Sequence, residues 1–318
     1  MNKICVIGVY FGKFPNYFSL WLKSCAYNPN VDFLIFTDND LPSTENVKFY
    51  PMTLQEMQKR ATAVLGFEAS LGKPYKCCDY RVIYGLIFEE YLKGYEYWGH
   101  CDFDVIFGDL ESFFEKFDLY KYDRFLALGH LSLYKNTKEV NERFKEEGVE
   151  PSYKDVYATD KGFAFDEING MPSYYLKKGY PIFTKNIFSD ISSLHHRYRR
   201  SEFYLLEKKP QNYKYQIFYW DKGRIYRAYF LKGNIYDEEY IYIHFRKRPN
   251  FTVEFDVDTV DSFYITNQGF IPKTGEVNKE IIKKLNKYHG ALYEGLEKFS
   301  FWWKRKWTGL MRRIKKEV

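Results

Sequence analysis

The chain has 318 residues, 45% of them hydrophobic and 28% charged. That is enough for one large α/β domain or two smaller ones, and it excludes disorder along the whole length. The net charge of +6 sits entirely in residues 296–318, which hold eight Lys/Arg and two acids, while the other 295 residues carry 40 charges of each sign. A neutral body argues against nucleic acid as a partner, and an anionic partner would meet the basic end first.

In chain order, Lys3 to Tyr10 reads as a buried strand. The apolar run Ile4 to Phe11 is too short for a signal h-region, and no stretch of about 20 apolar residues forms a transmembrane helix. A turn at 12–16 leads to a helix over 16–26, with Tyr17, Leu20, Trp21 and Ser24 on one side. Val31–Thr37 is a second apolar strand, Val47–Tyr50 a short third, and Leu54–Leu65 a helix. This order predicts an α/β fold with a largely parallel sheet. A further amphipathic helix is expected over Asp79–Leu92, then a central strand over Tyr95–Val105. Residues 134–160 read as helical or looped, and 203–244 alternate aromatic and polar positions as antiparallel strands do. The expected organisation is one α/β domain over 1–278 and a helical, basic-aromatic tail over 279–318. The five cysteines, Cys5, Cys25, Cys77, Cys78 and Cys101, are odd in number and lack zinc-ribbon spacing, so reduced, mostly buried thiols in the cytosol are expected.

An α/β fold binds ligands beyond the carboxyl ends of its strands. The first strand is followed by Gly8-Val9-Tyr10-Phe11-Gly12-Lys13-Phe14, which is neither GxGxxG nor GxxxxGK[ST]. A bound phosphate ester would therefore need its charge met by a divalent cation. Asp102-Phe103-Asp104 supplies carboxylates for one. Residues two apart on extended chain share a face, and oxygen ligands suit Mg²⁺ or Mn²⁺. The competing reading is a pair of acids at a strand end, capping the turn into Gly108.

The segment KPYKCCDYRVIYGLIFEEYLKGYEYWGHCDFDVIFGDL (73–110) resembles the core of bacterial glycosyltransferase-like proteins of capsule and surface-polysaccharide gene clusters. FGKFPNYFSLWLKSCAYNPNVDFLIFTD (11–38), GHLSLYKN (129–136) and FDEINGMP (165–172) are similar to the same family. The resemblance implies a GT-A-like, Rossmann-like α/β fold with a mixed, mostly parallel sheet flanked by helices. It further implies that Asp102 and Asp104 hold a metal bridging the phosphates of a nucleotide sugar, a UDP-sugar being favoured. Tyr10 and Phe11 would face the base. Asp38 would meet base or ribose hydroxyls, or else cap a turn; Asp79 and Arg81 would point to ribose and phosphate, with a helix N-cap as the other reading of Asp79. His244, opening HFRKRP (244–249), would complete the metal shell and Lys247 hold the diphosphate. Asp166 or Glu167, Asp166 preferred, would be the base of an inverting enzyme or orient the acceptor in a retaining one; a plain charged turn before Gly170 also fits. HHRYRR (195–200) reads as a solvated basic face, or else as a contact for an acceptor phosphate. The implied activity is metal-dependent sugar transfer to a surface-polysaccharide or lipid-linked glycan. The alternative is a non-catalytic carbohydrate- or membrane-binding protein that keeps the fold.

In the tail, Leu296, Phe299, Trp303, Trp307, Leu310 and Ile314 step by 3, 4, 4, 3 and 4, one stripe of a helix. Aromatics beside dense Lys/Arg are the composition of an interfacial helix. The expectation is a cytoplasmic protein attached peripherally to the anionic inner face of the cell membrane through 296–318. The other reading docks this helix on its own domain by the Trp face.

Overall fold

A computed structural model describes residues 2–167, 169–202, 209–246 and 251–314. The chain divides between Asn186 and Ile187 into two compact units. The sequence reading drew no boundary there, because the apolar patterning runs through it without a Gly/Pro-rich linker.

Among the described residues, the first unit is built on a seven-stranded sheet. Its strands are β1 (Ile4–Tyr10), β2 (Val31–Thr37), β3 (Val47–Pro51), β4 (Tyr97–Cys101), β6 (Arg124–Leu128), β7 (Leu131–Lys135) and β8 (Ile182–Phe183), in the order β3-β2-β1-β4-β7-β6-β8; β5 (Val105–Phe107) follows β4 in the chain. Pairing is parallel from β3 through β4, antiparallel where β7 meets β4 and β6, and parallel again between β6 and β8. This is the expected mixed, mostly parallel α/β class. β1 and β2 are continuous apolar runs because both sheet faces are covered. The helices are α1 (Phe18–Ala26), α2 (Leu54–Leu65), α3 (Cys77–Tyr80), α4 (Tyr84–Ile87), α5 (Leu110–Lys116), α6 (Lys138–Glu142), α7 (Tyr153–Tyr157) and α8 (Met171–Lys178). α2 starts and stops where its residues dictate. Thr53 and Glu56 form a reciprocal capping box, and Gly66 closes the helix in the left-handed conformation.

Two expected elements break up. Over 79–92 the chain forms α3, a 3₁₀ turn at Arg81–Ile83, α4 and another 3₁₀ turn at Glu89–Tyr91. Cys77, Asp79, Tyr80, Val82, Ile83, Tyr84 and Ile87 are all buried, so the first part of this segment threads the core, and full exposure is reached only at Glu89 and Glu90. The expected strand over Tyr95–Val105 ends at Cys101, bends through Asp102–Asp104, and resumes as β5.

In the second unit, β10 (Gln216–Asp221), β11 (Arg224–Leu231), β12 (Asn234–Tyr240), β14 (Ser262–Thr266) and β15 (Gly269–Pro272) form an antiparallel sheet in the order β12-β11-β10-β14-β15. The turns Lys222-Gly223 and Lys232-Gly233 have positive φ at both residues, the geometry that joins twisted strands by two residues. β9 (Ser189–Asp190) pairs in parallel with β13 (Tyr242–His244). Helix α9 (Lys279–Leu285) packs Ile282 against Ile217, Tyr219, Ala228 and Tyr264, and α10 spans Ala291–Ile314. No described helix is long and apolar enough to cross a membrane.

HHRYRR is not a solvated face. His195, Arg197 and Arg200 are buried, and Arg197 and Arg199 both donate to Glu294. The basic run is internal because a carboxylate from α10 and the aromatic ring of Tyr240 stand over its guanidinium groups. The cysteines are free thiols as expected, all buried except the half-buried Cys78.

Candidate active site

The site in the first unit is built on the bend that follows β4. Phe103, the middle residue, is buried among the rings of Tyr10 (centroids 5.1 Å), Trp21 (5.1 Å), Phe14 (5.2 Å) and Phe18 (5.9 Å). The Asp102 N–H donates to the His130 carbonyl at 3.0 Å. With Phe103 anchored, a carboxylate oxygen of Asp102 and one of Asp104 lie within 4.8 Å of each other. The two acids do converge, but through a bend rather than through the pleat of a strand.

Arg81 joins this bend to the acid that precedes α8. Its Nη2 donates to Asp102 Oδ1, and its Nη1 donates to Asp166 Oδ2 and the Gly129 carbonyl, both at 3.0 Å. Gly129 permits the junction, since a Cβ there would lie 2.8 Å from both Arg81 Nη1 and Asp166 Oδ2. Arg124 adds a second cation, donating to the Asp166 backbone carbonyl at 2.6 Å. Burial raises the pKa of Asp166, with Arg81 and Arg124 pulling the other way.

The two acids of the Asp166-Glu167 pair differ in setting. The Asp166 side chain is 1% exposed and fastened to Arg81. Glu167 is exposed, and its Oε1 lies 3.3 Å from where a Gly129 Cβ would stand.

Asp79 lies inside the first unit. Its carboxylate is buried, pairs with Lys76 Nζ at 2.9 Å, and accepts from the N–H groups of Phe163 and Phe165 at 3.0 Å. Lys76 further donates to the carbonyls of Val156 and Lys161. Asp79 lies within α3, whose cap position is Lys76, and its carboxylate pins the loop that leads to Asp166. Lys76 escaped the sequence reading, although its place three residues before Asp79 marks an ion pair on one helical side.

Tyr10 and Phe11 are half-buried at the end of β1. Tyr10 stacks on Phe14 at 4.7 Å, and burial, followed by the nearby Asp104, raises its pKa. Asp38 is exposed past the end of β2, where its Oδ1 accepts the Gly12 N–H at 2.8 Å. It fastens the loop after β1, as a turn cap does.

His244 belongs to the second unit. Its Nδ1 lies 2.8 Å from Asp190 Oδ1, and Arg246 donates to both oxygens of the same buried carboxylate. Nδ1–H donation to Asp190 fixes the tautomer that carries its lone pair on Nε2. Asp190 was missed in the sequence, although an acid inside the apolar run Ile187–Ile191 signals a buried, partnered group. Lys247 lies outside the described residues.

Hard carboxylate oxygens on the bend are a donor set that fits Mg²⁺ or Mn²⁺. The solved structures similar to the chain include two sugar transferases. A galactosyltransferase LgtC in complex with donor and acceptor sugar analogues shares 11% identity over 59% of this chain and 75% of its own, with a TM-score of 0.35. Mouse xyloside xylosyltransferase 1 in its apo form shares 9% identity over 60% of this chain and 88% of its own, with a TM-score of 0.36. No curated protein matches the sequence. One family model matches residues 6–274, a span that contains the Asp102–Asp104 bend, Arg81, Asp166 and the strands carrying Asp190 and His244. The chain belongs to that family, described as the family of unknown function DUF6625.

Proposed function

We propose that the chain is a metal-dependent glycosyltransferase that moves a sugar from a nucleotide-sugar donor, a UDP-sugar by preference, to a surface-polysaccharide or lipid-linked glycan. The observation that carries this reading is the Asp102–Phe103–Asp104 bend. Two carboxylates converge at the carboxyl end of a parallel strand, where open α/β sheets bind ligands, in a chain without a glycine cradle for phosphates. Asp102 and Asp104 would hold Mn²⁺ or Mg²⁺, which would supply Lewis acidity towards the nucleoside diphosphate leaving group.

The chain's own residues do the rest. Arg81 fixes Asp102 and adds a cation beside it, and Asp166 holds Arg81 in place. Tyr10 and Phe11 offer ring faces to the base, and Asp38 meets ribose hydroxyls from the loop it fastens. Glu167 takes the acceptor hydroxyl proton in an inverting transfer, or orients the acceptor in a retaining one. The proposed setting is the cytoplasmic face of the cell membrane.

The test is thermal stabilisation by a panel of nucleoside diphosphates and nucleotide sugars, each with Mn²⁺ and with EDTA. A shift for one base that requires the metal supports the reading and names the donor. No shift with any of them overturns it.

A further inference from the structure

Helix α10 is held to its own unit by its acidic side. Glu294 accepts from Arg197 Nε at 2.5 Å and from Arg199 Nη1 at 2.7 Å. Glu297 Oε1 lies 3.9 Å from His196 Nε2, Lys298 Nζ is 3.7 Å from Glu202, and the Phe301 ring is 5.8 Å from that of His196. Positions 294, 297, 298 and 301 share one side of a helix. The opposite side carries Leu292, Leu296, Phe299, Trp303 and Trp307. These are 80%, 59%, 58%, 50% and 61% exposed, against 8% for Glu294 and Glu297. A helix that stabilises its own domain turns its apolar stripe inward. This one is turned the other way, and large apolar side chains exposed in a continuous row mark an interaction surface.

Charge selects the occupant. Residues 296–318 carry a net +6 and the remainder of the chain carries none. A second copy would set this charge against itself. An anionic bilayer complements it and accepts Trp and Phe at headgroup depth.

We propose that α10 is an interfacial membrane helix. It lies in the headgroup layer of an anionic bilayer on Leu292, Leu296, Phe299, Trp303 and Trp307. The Glu294 carboxylate, gripped by Arg197 and Arg199, transmits that attachment to the second unit. The inference stands apart from the transfer chemistry, since it uses none of the residues assigned to it.

The full-length chain is tested by co-sedimentation with phosphatidylglycerol–phosphatidylcholine vesicles and with phosphatidylcholine alone. The expected result is binding to the anionic vesicles at least about tenfold tighter than to the neutral ones, weakened by raised salt. Trp303→Glu with Trp307→Glu, at exposed positions, is expected to cost about tenfold or more in vesicle binding, as is Lys304→Gln with Arg305→Gln and Lys306→Gln. Trp21, Trp98 and Trp220 are fully buried, so a blue-shifted Trp emission on adding vesicles reports α10 alone. An unchanged circular dichroism spectrum for each variant separates lost binding from misfolding. Equal binding to neutral vesicles, or anionic binding untouched by either variant, overturns the proposal. So does tighter binding to duplex DNA than to vesicles, or a solution dimer that Trp303→Glu with Trp307→Glu dissolves.

Discussion

Phe103 lies directly over Gly8: a Cβ on Gly8 would stand 2.5 Å from Phe103 Cζ. The middle residue of the acidic bend is thus seated on the backbone of β1. Phe103 cannot give way, because four rings enclose it. Gly8→Ala is expected to destabilise the fold by about 1–3 kcal/mol through overpacking and to weaken metal-dependent nucleotide binding. Urea denaturation and calorimetry of the same variant check both effects. Destabilisation with unaltered binding would separate Phe103 from the positioning of Asp102 and Asp104.

Arg81 donates to Asp102 from Nη2 and to Asp166 from Nη1, a planar two-nitrogen fork whose span one ammonium nitrogen does not reproduce. Arg81→Lys is expected to cost about 1–3 kcal/mol of stability and to lower donor affinity. Restoring full affinity with Lys would show that charge alone suffices there.

Asp79 and Lys76 form a buried pair whose side chains are 2% and 1% exposed. Removing one partner of such a pair leaves an uncompensated charge, so Asp79→Ala is expected to cost about 3–5 kcal/mol. Donor affinity, measured below the lowered melting temperature, stays near that of the parent. A stable Asp79→Ala protein with lost donor binding would instead return Asp79 to the ribose.

Glu167→Gln is expected to lower turnover by about 10²–10⁴-fold with donor affinity unchanged. Asp166→Asn acts through Arg81, so it reduces stability and donor affinity together. The opposite pattern in steady-state kinetics, with Asp166→Asn silent in binding and dead in turnover, would restore Asp166 as the base.

In the second unit, burial, aided by Arg199, lowers the pKa of His195 to about 4. The fold holds this imidazole neutral, while the unfolded chain protonates it near its ordinary value of about 6.5. Its contribution to stability is therefore present above that value and lost as pH falls towards 4. His195→Gln is expected to flatten the fall in denaturation midpoint between about pH 7 and pH 5 relative to the parent. Parallel pH profiles for the two proteins would remove His195 from the acid sensitivity.

Much of this was legible in the sequence for local reasons. β2 and α2 have the predicted bounds because a continuous apolar strand and a capped amphipathic helix announce themselves within a few residues. Asp102 and Asp104 were visible as a pair. The bend between them was not, because Phe103 reads as a strand residue until Gly8 and the ring cluster are seen around it. The different settings of Asp166 and Glu167 depend on Arg81 and Gly129, which are far away in the chain. Asp190 was hidden for the same reason, its partners His244 and Arg246 lying more than fifty residues on. Periodicity carries no information about which acid a distant cation will hold.

The most direct measurement is calorimetric titration of UDP, and of the other nucleoside diphosphates, into the parent chain and into Asp104→Asn, with Mn²⁺ and with EDTA. The account predicts binding that requires the metal and falls at least about tenfold in Asp104→Asn, since a lost carboxylate ligand weakens the metal bridge to the phosphates. Equal affinity in EDTA, or in Asp104→Asn, would contradict it.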